Sequence, residues 1–309
     1  MSVRHLISLR QLEPETVTRL VDRSVEFASG RLRDHPLAGR VVGIYFKRSS
    51  TRTRTSFTVG ALKLGAQTIA YGPSDLQLAT GETFEDTGRV LSGYLDALVI
   101  RTNEPSAEME ALADQDEMAI INAMSAEEHP TQAIADLSTL KEACGRLEGL
   151  HVLYLGEGNN TASALAHAVG KVPGMRLTVV TPAGYGLPAE VLEPARDLAR
   201  NHGSTVEQHH DMEALPPAVD AVYTTRWQTM GVSKGDPDWR RKFLPYSVTP
   251  ELMTRLSKGD GTIFMHDLPA VRGDDVYDEV LDGPQSWAWR QARHKLFSAM
   301  AVLEWCLNP

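Results

Sequence analysis

Short apolar segments alternate with helical patterns along almost the whole 309-residue chain. The apolar segments are rich in β-branched residues, which is typical of strands buried on both faces of a parallel sheet. Such strands are predicted over 41–46, Thr68–Tyr71, Ala97–Arg101, Ala119–Asn122, His151–Gly156, Leu177–Thr181, Thr205–Gln208, Ala221–Thr225 and Thr262–His266. The helices between them include Phe84–Tyr94, Ala107–Asp114, Ala162–Val172 and Ala189–Asn201. This alternation predicts an α/β fold with doubly wound parallel sheets.

A long helix marks the boundary between two predicted domains. Pro130 suits the first turn of a helix, apolar residues follow at helical spacing, and Gly145 stands where a helix C-cap is expected. We therefore predict that residues 133–147 form a bridging helix between a first domain, residues 1–132, and a second domain, residues 148–285. The chain is long enough for two domains of ordinary size, each with its own core.

Composition and charge narrow the classes of function. The chain carries 31 Lys and Arg against 40 Asp and Glu, and its formal net charge of −9 argues against a nucleic-acid partner. The N-terminal residues lack the apolar core of a signal peptide, and no apolar run approaches the roughly 20 residues needed to span a bilayer. Cys144 and Cys306 match no metal or redox spacing, so we expect buried thiols. These features predict a cytoplasmic enzyme or binding protein with no membrane partner.

The densest group of polar residues lies between the first strand and a helix, in the run Phe46-Lys47-Arg48-Ser49-Ser50-Thr51-Arg52-Thr53-Arg54-Thr55-Ser56-Phe57. A helix N-terminus offers backbone N–H groups and a partial positive charge, which suit an anion. Arg52 adds a planar fork that matches phosphate oxygens, beside the hydroxyls of Ser50 and Thr51. The alternative is a simple Ser/Thr helix cap with two solvated arginines, but the density of the run favours a phosphate site.

Other polar groups follow other predicted strands. They are Arg101, His129-Pro130-Thr131-Gln132, Asn159-Asn160, Thr225-Arg226-Trp227-Gln228 and His266-Asp267-Leu268-Pro269. In doubly wound sheets, ligands bind beyond the carboxyl ends of the strands. Any one of these groups alone would be interpreted as ordinary loop polarity. Because all of them share the same placement, they predict a ligand-binding site.

The run Ser50-Thr51-Arg52-Thr53-Arg54 resembles the carbamoyl-phosphate signature of the aspartate and ornithine carbamoyltransferase family. Arg48 departs from the pattern, since the family usually carries Glu or Lys there. The strand 96–101 resembles the one that ends in the family's phosphate- and carbonyl-binding arginine, and His129-Pro130-Thr131-Gln132 matches its His-Pro-x-Gln motif. The resemblance extends in order along nearly the whole chain. It implies a carbamoyltransferase.

The resemblance assigns roles around carbamoyl phosphate, a dianion with an electrophilic carbonyl. Ser50–Arg52 and the helix N–H groups would hold the phosphate. Arg101, His129 and Thr53 would converge on the carbonyl oxygen, where a tetrahedral oxyanion forms. Gln132 would accept a hydrogen bond from the carbamoyl amide and fix its orientation. This chemistry needs no cofactor, no metal and no covalent nucleophile, and His129 acts as a donor rather than an obligate base.

The resemblance also implies an assembly and a domain arrangement. Gly81-Glu82-Thr83 with Asp86-Thr87 resembles the loop that a neighbouring subunit lends to the active site, and Gln77 stands where the ornithine enzymes have a glutamine that reaches across. The aspartate enzymes carry a lysine where this chain has Thr80. We therefore expect a homotrimer with shared active sites. A terminal helix, 286–309, would return to residues 1–132 to complete the carbamoyl-phosphate domain.

Motifs of the second domain resemble those of the ornithine enzymes. Gly156-Glu157-Gly158-Asn159-Asn160 is similar to their Gly-Asp-Gly-Asn-Asn, whose asparagine binds the amino acid's carboxylate. A dinucleotide site is the alternative for Gly-x-Gly, but Thr161 replaces the third glycine. Thr229-Met230-Gly231 is similar to their Ser-Met-Gly, and His266-Asp267-Leu268-Pro269 to their His-Cys-Leu-Pro. The substrate-binding candidates from these motifs are Asn159, Asn160, Thr229, Met230, His266 and Leu268.

The same motifs depart from the ornithine pattern. Asp267 replaces a cysteine that contacts the ornithine side-chain amine, and Thr225 replaces an aspartate that also contacts ornithine. A carboxylate at Asp267 would attract a cationic amine and accept its proton, so we predict a catalytic role for it. The alternative is that Asp267 only caps a turn. Near the C-terminus, Arg293-His294-Lys295 replaces Glu-Asn-Arg, and Lys295 is a further substrate-binding candidate.

The segment Thr225-Arg226-Trp227-Gln228 is similar to the aspartate enzymes' Thr-Arg-x-Gln, where Arg and Gln bind the substrate carboxylate. Thr225, Arg226 and Gln228 are therefore substrate-binding candidates. An aspartate-type enzyme stays an alternative to the ornithine type, as does an enzyme for another amine.

Two other classes stay open beside these. A catalytically silent, ligand-binding relative would be expected to lose Arg52, Arg101, His129 or Gln132, and all are present. A nicotinamide-dependent oxidoreductase lacks its glycine fingerprint here. We therefore expect transfer of the carbamoyl group to the amine of an amino acid, with release of phosphate.

Overall fold

The computed structural model describes residues 3–31, 34–228 and 233–308. They form two compact units. The first takes in the described residues up to Ser138 and those from Arg293 onward, and the second spans Thr139–Ala292. Each unit contains a parallel sheet flanked by helices, so the α/β class predicted from the sequence is confirmed.

The first unit is built on a four-stranded, all-parallel sheet. Its strands are β1 (Val41–Phe46), β2 (Gln67–Tyr71), β3 (Ala97–Arg101) and β4 (Ala119–Met124), in the order β2-β1-β3-β4. Its helices are α1 (Pro14–Ala28), α2 (Arg52–Lys63), α3 (Phe84–Ser92) and α4 (Ala107–Leu112), with 3-10 turns at Leu9–Gln11 and Gln77–Thr80. Strands β3 and β4 are buried throughout, which explains their almost continuous apolar sequence.

Helix α5 (Pro130–Cys144) follows β4 and continues into the second unit. Pro130 opens it, as expected, because the first helical residue needs no N–H donor. Gly145 ends it in a left-handed conformation at φ +72°, with its N–H donating to the carbonyl of Lys141.

The second unit contains a five-stranded, all-parallel sheet. Its strands are β5 (His151–Leu155), β6 (Arg176–Val180), β7 (Thr205–His209), β8 (Ala221–Thr224) and β9 (Ile263–His266), in the order β7-β6-β5-β8-β9. Its helices are α6 (Asn160–Val169), α7 (Ala189–Asn201), α8 (Trp239–Phe243), α9 (Pro250–Leu256) and α10 (Asp278–Leu281), with 3-10 turns at Leu244–Tyr246 and Gly259–Gly261. Helix α11 (Ala288–Leu307) leads from this unit into the first. No helix among the described residues is long and apolar enough to cross a membrane.

Each sheet has a point where the strand order reverses. In the first unit it lies between β1 and β3, where Phe46 pairs with Arg101. In the second unit it lies between β5 and β8, where Leu155 pairs with Thr224. Such reversal points open a crevice at the carboxyl ends of the strands, and ligands bind there in this class of fold.

The observed elements differ from the predicted ones only at their ends. Helix α3 ends at Ser92, because Gly93 follows it as the C-cap residue. Helix α6 begins two residues early, at Asn160, because the Asn159 side chain caps it. Cys144 and Cys306 are both free thiols, with Cys306 buried and Cys144 only partly so.

Candidate active site

The turn between β1 and α2 leaves the N-terminus of α2 without a side-chain cap. Thr51 occupies the N-cap position, yet its hydroxyl makes no capping hydrogen bond. Ser50 and Arg52 are partly buried beside it, and Thr51 is exposed. The simple helix-cap alternative is therefore not what the structure contains. Backbone N–H groups in the first turn of a helix suit an anion, as the sequence predicts for this turn.

Arg101 ends β3 as a buried arginine next to this turn. Its Nη1 donates to Oγ1 of Thr53, at 3.2 Å, and Thr53 is itself buried in the first turn of α2. The backbone N–H of Lys47 donates to the carbonyl of Arg101, at 3.0 Å, so the β1 end and the β3 end are fixed side by side. A guanidinium has enough donors to bind Thr53 and a ligand oxygen at the same time.

His129 precedes α5 and is buried, and one of its ring nitrogens has no hydrogen-bond partner among the described residues. The Thr131 hydroxyl lies 3.5 Å from Nδ1, and Nε2 makes no hydrogen bond within the described part of the chain. Burial lowers the pKa of His129 well below its usual value, and the positive charges of Lys295 and Arg101 lower it further. With Nδ1 facing a hydroxyl, a neutral imidazole presents Nε2–H as a donor. This geometry favours an oxyanion donor over a base.

We expect the His129 side chain to stay neutral as the pH falls from about 8 to below about 6.5, which is the ordinary pKa of histidine. Its NMR Cε1–H signal, identified by its loss in His129→Gln, should show no titration step in that range. A midpoint near the ordinary value would contradict this assignment. Because the unfolded chain binds the proton more readily, His129 should also lower the free energy of unfolding as the pH falls below that value.

Gln132, in the first turn of α5, has a fixed amide orientation. Its Nε2 donates to Oδ1 of Asp136, at 2.7 Å, and both side chains are buried. Its Oε1 is buried without a hydrogen-bond partner among the residues described. A buried acceptor without a partner is costly, so this oxygen is suited to an N–H donor of a ligand.

A small cavity in the first unit brings several predicted residues together. Its walls include Thr53, His129, Gln132 and Lys295, with Ser56, Phe57, Thr131 and Ser298 as further lining residues. The sequence assigned Lys295 only to substrate binding in general. The structure places it on α11 in the same cavity lining as His129, where its positive charge acts on His129 together with that of Arg101.

Gln77 lies in a segment that is mostly exposed, from Gln77 to Thr83. Its side-chain carbonyl accepts a hydrogen bond from the Thr80 hydroxyl, at 2.6 Å. Gln77 does not line the cavity around His129. An exposed polar segment of this kind is what a contribution to a neighbouring subunit would require.

In the second unit, the turn Gly156–Asn160 follows β5 under tight steric limits. A Cβ atom on Gly158 would lie 2.4 Å from the backbone of Gly186 and Leu187, so only glycine fits. Oδ1 of Asn159 accepts from the backbone N–H of Thr161, at 3.0 Å, which makes Asn159 the N-cap of α6. Asn160 is buried in the first turn of that helix.

Asp267 directly follows β9 and is oriented by two hydroxyl groups. Its Oδ1 accepts from Oγ1 of Thr225 and its Oδ2 from Oγ1 of Thr161, both at 3.0 Å. A turn cap would accept from backbone N–H groups, and no such donor to Asp267 occurs among the described residues. The side chain keeps 15% exposure, so the carboxylate remains accessible to a ligand.

His266 is completely buried and holds the loop that follows β9. Its Nδ1 accepts from the backbone N–H of Leu268, at 2.8 Å, and its Nε2 lies 3.3 Å from Oδ2 of Asp275. Leu268 has a left-handed backbone, φ 56°, which this hydrogen bond supports. Because Nδ1 is already an acceptor, its 3.5 Å approach to Asp267 is not an ion pair. This environment suits a positioning residue rather than one that touches substrate.

The segment after β8 carries the remaining candidates. The Thr225 hydroxyl is used to orient Asp267, and Arg226 and Gln228 are partly buried. Trp227 is buried against the Gly156–Asn160 turn, with Cδ1 3.1 Å from where a Cβ on Gly156 would lie. Thr229 and Met230 lie outside the described residues, so their predicted contacts stay predictions.

Three residues of these networks are missing from the predicted set. Asp136 stands four residues after Gln132 on one helix face, and that spacing was a usable signal. Thr161 drew attention only as the replacement of a glycine, because its contact with Asp267 spans 106 residues. Lys234, which pairs with Glu157 of the Gly156–Asn160 turn, has no sequence signal of its own.

Comparisons with known proteins cover nearly the whole chain. The carbamoyl-phosphate-binding domain of the aspartate/ornithine carbamoyltransferases matches residues 4–142, and the Asp/Orn-binding domain of the same family matches residues 148–306. An ornithine carbamoyltransferase of Caldicellulosiruptor saccharolyticus is 40% identical over 304 residues, covering 97% of this chain and 97% of the relative. One from Methanobrevibacter smithii is 37% identical over 299 residues, covering 97% and 98%.

A solved structure also matches this chain. The ornithine carbamoyltransferase from Pyrococcus furiosus matches with a TM-score of 0.91 at 34% identity, covering 99% of this chain and 98% of that one. Together, the two matching family domains and these relatives define an enzyme that transfers carbamoyl groups. The chain belongs to the aspartate/ornithine carbamoyltransferase family, as the sequence motifs predict.

Proposed function

We propose that the protein transfers the carbamoyl group of carbamoyl phosphate to the side-chain amine of ornithine or a closely related diamino acid. The observation that carries the choice of acceptor is the Asp267 carboxylate, held by Thr225 and Thr161. The relatives with similar sequences are named ornithine carbamoyltransferases, which supports the same acceptor class.

We assign the binding of carbamoyl phosphate, the carbamoyl donor, to residues of the first unit. The α2 N-terminus with Ser50–Arg52 binds the phosphate of carbamoyl phosphate. The carbonyl oxygen accepts hydrogen bonds from Arg101, His129 Nε2–H and the Thr53 hydroxyl, and the carbamoyl N–H groups donate to Gln132. These donors are in place before the oxyanion forms, so little reorganisation accompanies the reaction.

In this reaction, each bond that forms is matched by a bond that breaks. The neutral amine attacks the carbonyl carbon and forms a C–N bond. The tetrahedral intermediate then collapses, the bond between carbon and the phosphate oxygen breaks, and phosphate leaves with the electron pair. The substrate arrives as an ammonium ion, and we assign Asp267 to attract it and to take its first proton. The second proton leaves the nitrogen as the C–N bond forms and departs with the phosphate.

A carboxylate at position 267 in place of one at position 225 explains why an ornithine-like acceptor is compatible with the altered motifs around these residues. The negative charge that the ornithine enzymes carry where Thr225 stands is supplied here by Asp267, and the Thr225 hydroxyl now donates to it. The site therefore keeps one carboxylate for a cationic amine. An aspartate-type acceptor, suggested by Arg226 and Gln228, would bring a second carboxylate towards this charge.

An acceptor panel tests the proposal. The purified protein is incubated with carbamoyl phosphate and ornithine, lysine, shorter diamino acids, aspartate or putrescine, and phosphate release and ureido product are both measured. We expect the highest kcat/KM with ornithine or another diamino acid. Turnover of aspartate alone would identify the aspartate type, and no turnover despite carbamoyl phosphate binding would indicate a silent relative.

We further infer that the protein assembles as a homotrimer with shared active sites. Several large apolar side chains of the first unit are exposed: Leu62 on α2, Ile69 on β2, and Val90 and Tyr94 on or just after α3. Strand β2 is an edge strand, and exposed apolar residues at a sheet edge favour association. The exposed Gln77–Thr83 segment belongs to the same unit and supports a contribution to a neighbouring active site.

A double variant, Ile69→Lys with Tyr94→Glu, is expected to dissociate the assembly. Placing charges on both side chains makes burial at an interface unfavourable. Sedimentation velocity should show three times the chain mass for the wild type and a single chain mass for the variant. Leu244→Lys changes an equally exposed apolar residue of the second unit and should leave the trimer intact. A trimer that persists in the double variant would place the interface elsewhere.

Localisation is proposed as cytoplasmic. Both cysteines are free, which suits a reducing compartment. Fractionation of the cells that produce the protein, followed by immunoblotting of each fraction, tests this assignment.

A further inference from the structure

Lys234 is a buried lysine whose ammonium lies in a box of three aromatic rings and one carboxylate. Its side chain is only 6% exposed and forms an ion pair with Glu157. The ammonium lies 4.9 Å from the ring centroid of Tyr185, 5.6 Å from that of Trp239 and 5.1 Å from that of Phe243. Aromatic faces and an opposite charge together stabilise a desolvated ammonium. These groups therefore form a complete cation site, filled by the protein's own lysine.

The walls of this box support one another. The rings of Tyr185 and Phe243 meet edge to face, with centroids 4.9 Å apart, and Trp239 packs on Phe243 at 5.8 Å. The Tyr185 hydroxyl donates to the Asp236 carboxylate, at 3.1 Å. The box is thus held by contacts that do not involve Lys234, so removing the lysine side chain would leave an empty, preformed cation site.

The box is joined to the Gly156–Asn160 turn, which carries the residues predicted to bind the amino-acid substrate. Glu157 is part of that turn, so its ion pair with Lys234 fixes the turn from one side. The backbone N–H of Gly158 donates to the carbonyl of Tyr185, at 2.8 Å, and fixes it from the other. Tyr185 is therefore both a wall of the box and a support of the turn.

The position of the Gly156–Asn160 turn sets where α6 begins. Asn159 caps this helix, and Thr161 in its first turn donates to Asp267. A displacement of the turn would therefore move Asn160 and one of the two hydroxyls that orient the Asp267 carboxylate.

We propose that Lys234 is a positioning residue for the acceptor site: by filling the aromatic box and pairing with Glu157, it fixes the turn that carries Asn159 and Asn160. The inference rests on the proposed function, since it assigns that turn to the amine substrate. It also defines the box as a site for a primary alkylammonium ion.

The kinetic test compares three variants. Lys234→Ala is expected to lower kcat/KM for the diamino acid about 30-fold, as loss of a desolvated cation–π site would, while the KM for carbamoyl phosphate stays unchanged. Lys234→Met keeps the apolar stem, removes the charge and should change the same parameter in the same direction. Lys258→Ala is the matched control, because Lys258 lies in the same unit but forms a partly exposed ion pair with Asp220.

Chemical rescue tests the box directly. n-Propylammonium replaces the atoms that Lys234→Ala removes, so it should raise the melting temperature of that variant in a saturable way and restore ureido-product formation from the diamino acid. It should stabilise neither the wild type, whose box is full, nor Lys258→Ala. n-Propanol, of the same shape but neutral, should have no effect. Mass analysis of the product distinguishes rescue from carbamoylation of propylamine itself.

The outcomes separate the two claims. Unchanged kinetics in both Lys234 variants, or an equal rise in KM for both substrates, would overturn the positioning role. Absence of a propylammonium-dependent rise in melting temperature in Lys234→Ala would overturn the cation box. If the wild type transferred no carbamoyl group to any diamino acid, the proposed function would fail, and the melting experiment would still decide whether the box exists.

Discussion

Arg101→Met is expected to lower kcat/KM for carbamoyl phosphate about 1000-fold, the upper range for removal of one preorganised donor. The loss would be large because Arg101 is buried, carries a full charge and is held by Thr53 at the carbonyl end of the predicted site. Methionine has a similar length and suits a buried position, so the fold should survive. Steady-state kinetics with a fixed, saturating diamino acid would measure the effect.

Arg40→Met is the matched control for Arg101→Met. Arg40 lies at the opposite end of the same sheet, before β1, where it forms an exposed ion pair with Asp96. Surface pairs contribute about 0–1 kcal/mol to stability, so this variant should keep normal kinetics. Equal activity in the two variants would show that Arg101 does not contact the transition state.

Asp267→Asn is expected to lower kcat/KM for the diamino acid about 100-fold, as loss of one partner of a partly buried charge pair would. Asparagine keeps one acceptor oxygen for one of the two threonine hydroxyls, and its amide N–H can donate to the oxygen of the other hydroxyl, so the loop should retain its geometry. Only the negative charge and the proton acceptor are removed. The KM for carbamoyl phosphate should not change.

The split between kinetic parameters shows what Asp267 does. A rise in KM for the amine with little change in kcat would indicate that it binds the ammonium, and a fall in kcat would indicate proton transfer. Asp278→Asn is the control, because Asp278 is an exposed aspartate that pairs with Arg272 at the surface. Kinetics unchanged from wild type in Asp267→Asn would exclude both roles.

The strand pattern and the placement of the donor residues could be predicted from the sequence. Periodicity and β-branched composition identified the strands, and the strand positions placed Arg101 and His129 at or after the carboxyl ends of β3 and β4, where the rule for parallel sheets expects ligands. These features depend on local sequence and on one general property of parallel sheets. They therefore need no knowledge of side-chain partners.

The contacts that define the acceptor site could not be predicted in this way. Thr161 and Thr225 reach Asp267 from different strand ends, over separations of 106 and 42 residues. Periodicity does not encode which hydroxyl meets which carboxylate across a sheet. His266 shows the same limit: its motif suggested substrate contact, whereas its two ring nitrogens face Leu268 and Asp275.

Lys234 illustrates a second limit. A single lysine in a polar segment predicts a solvated side chain, because burial of an unpaired ammonium is costly. Its partners come from three other parts of the chain, around Glu157, Tyr185 and Phe243. Only the folded arrangement brings them together.

Product analysis with carbonyl-¹³C carbamoyl phosphate and ornithine tests the central claim most directly. We expect mass spectrometry to find the labelled carbonyl attached to the side-chain nitrogen of ornithine, with one phosphate released for each product, and only in the presence of the protein. Unmodified ornithine, with phosphate appearing no faster than in a protein-free control, would contradict carbamoyl transfer to this acceptor.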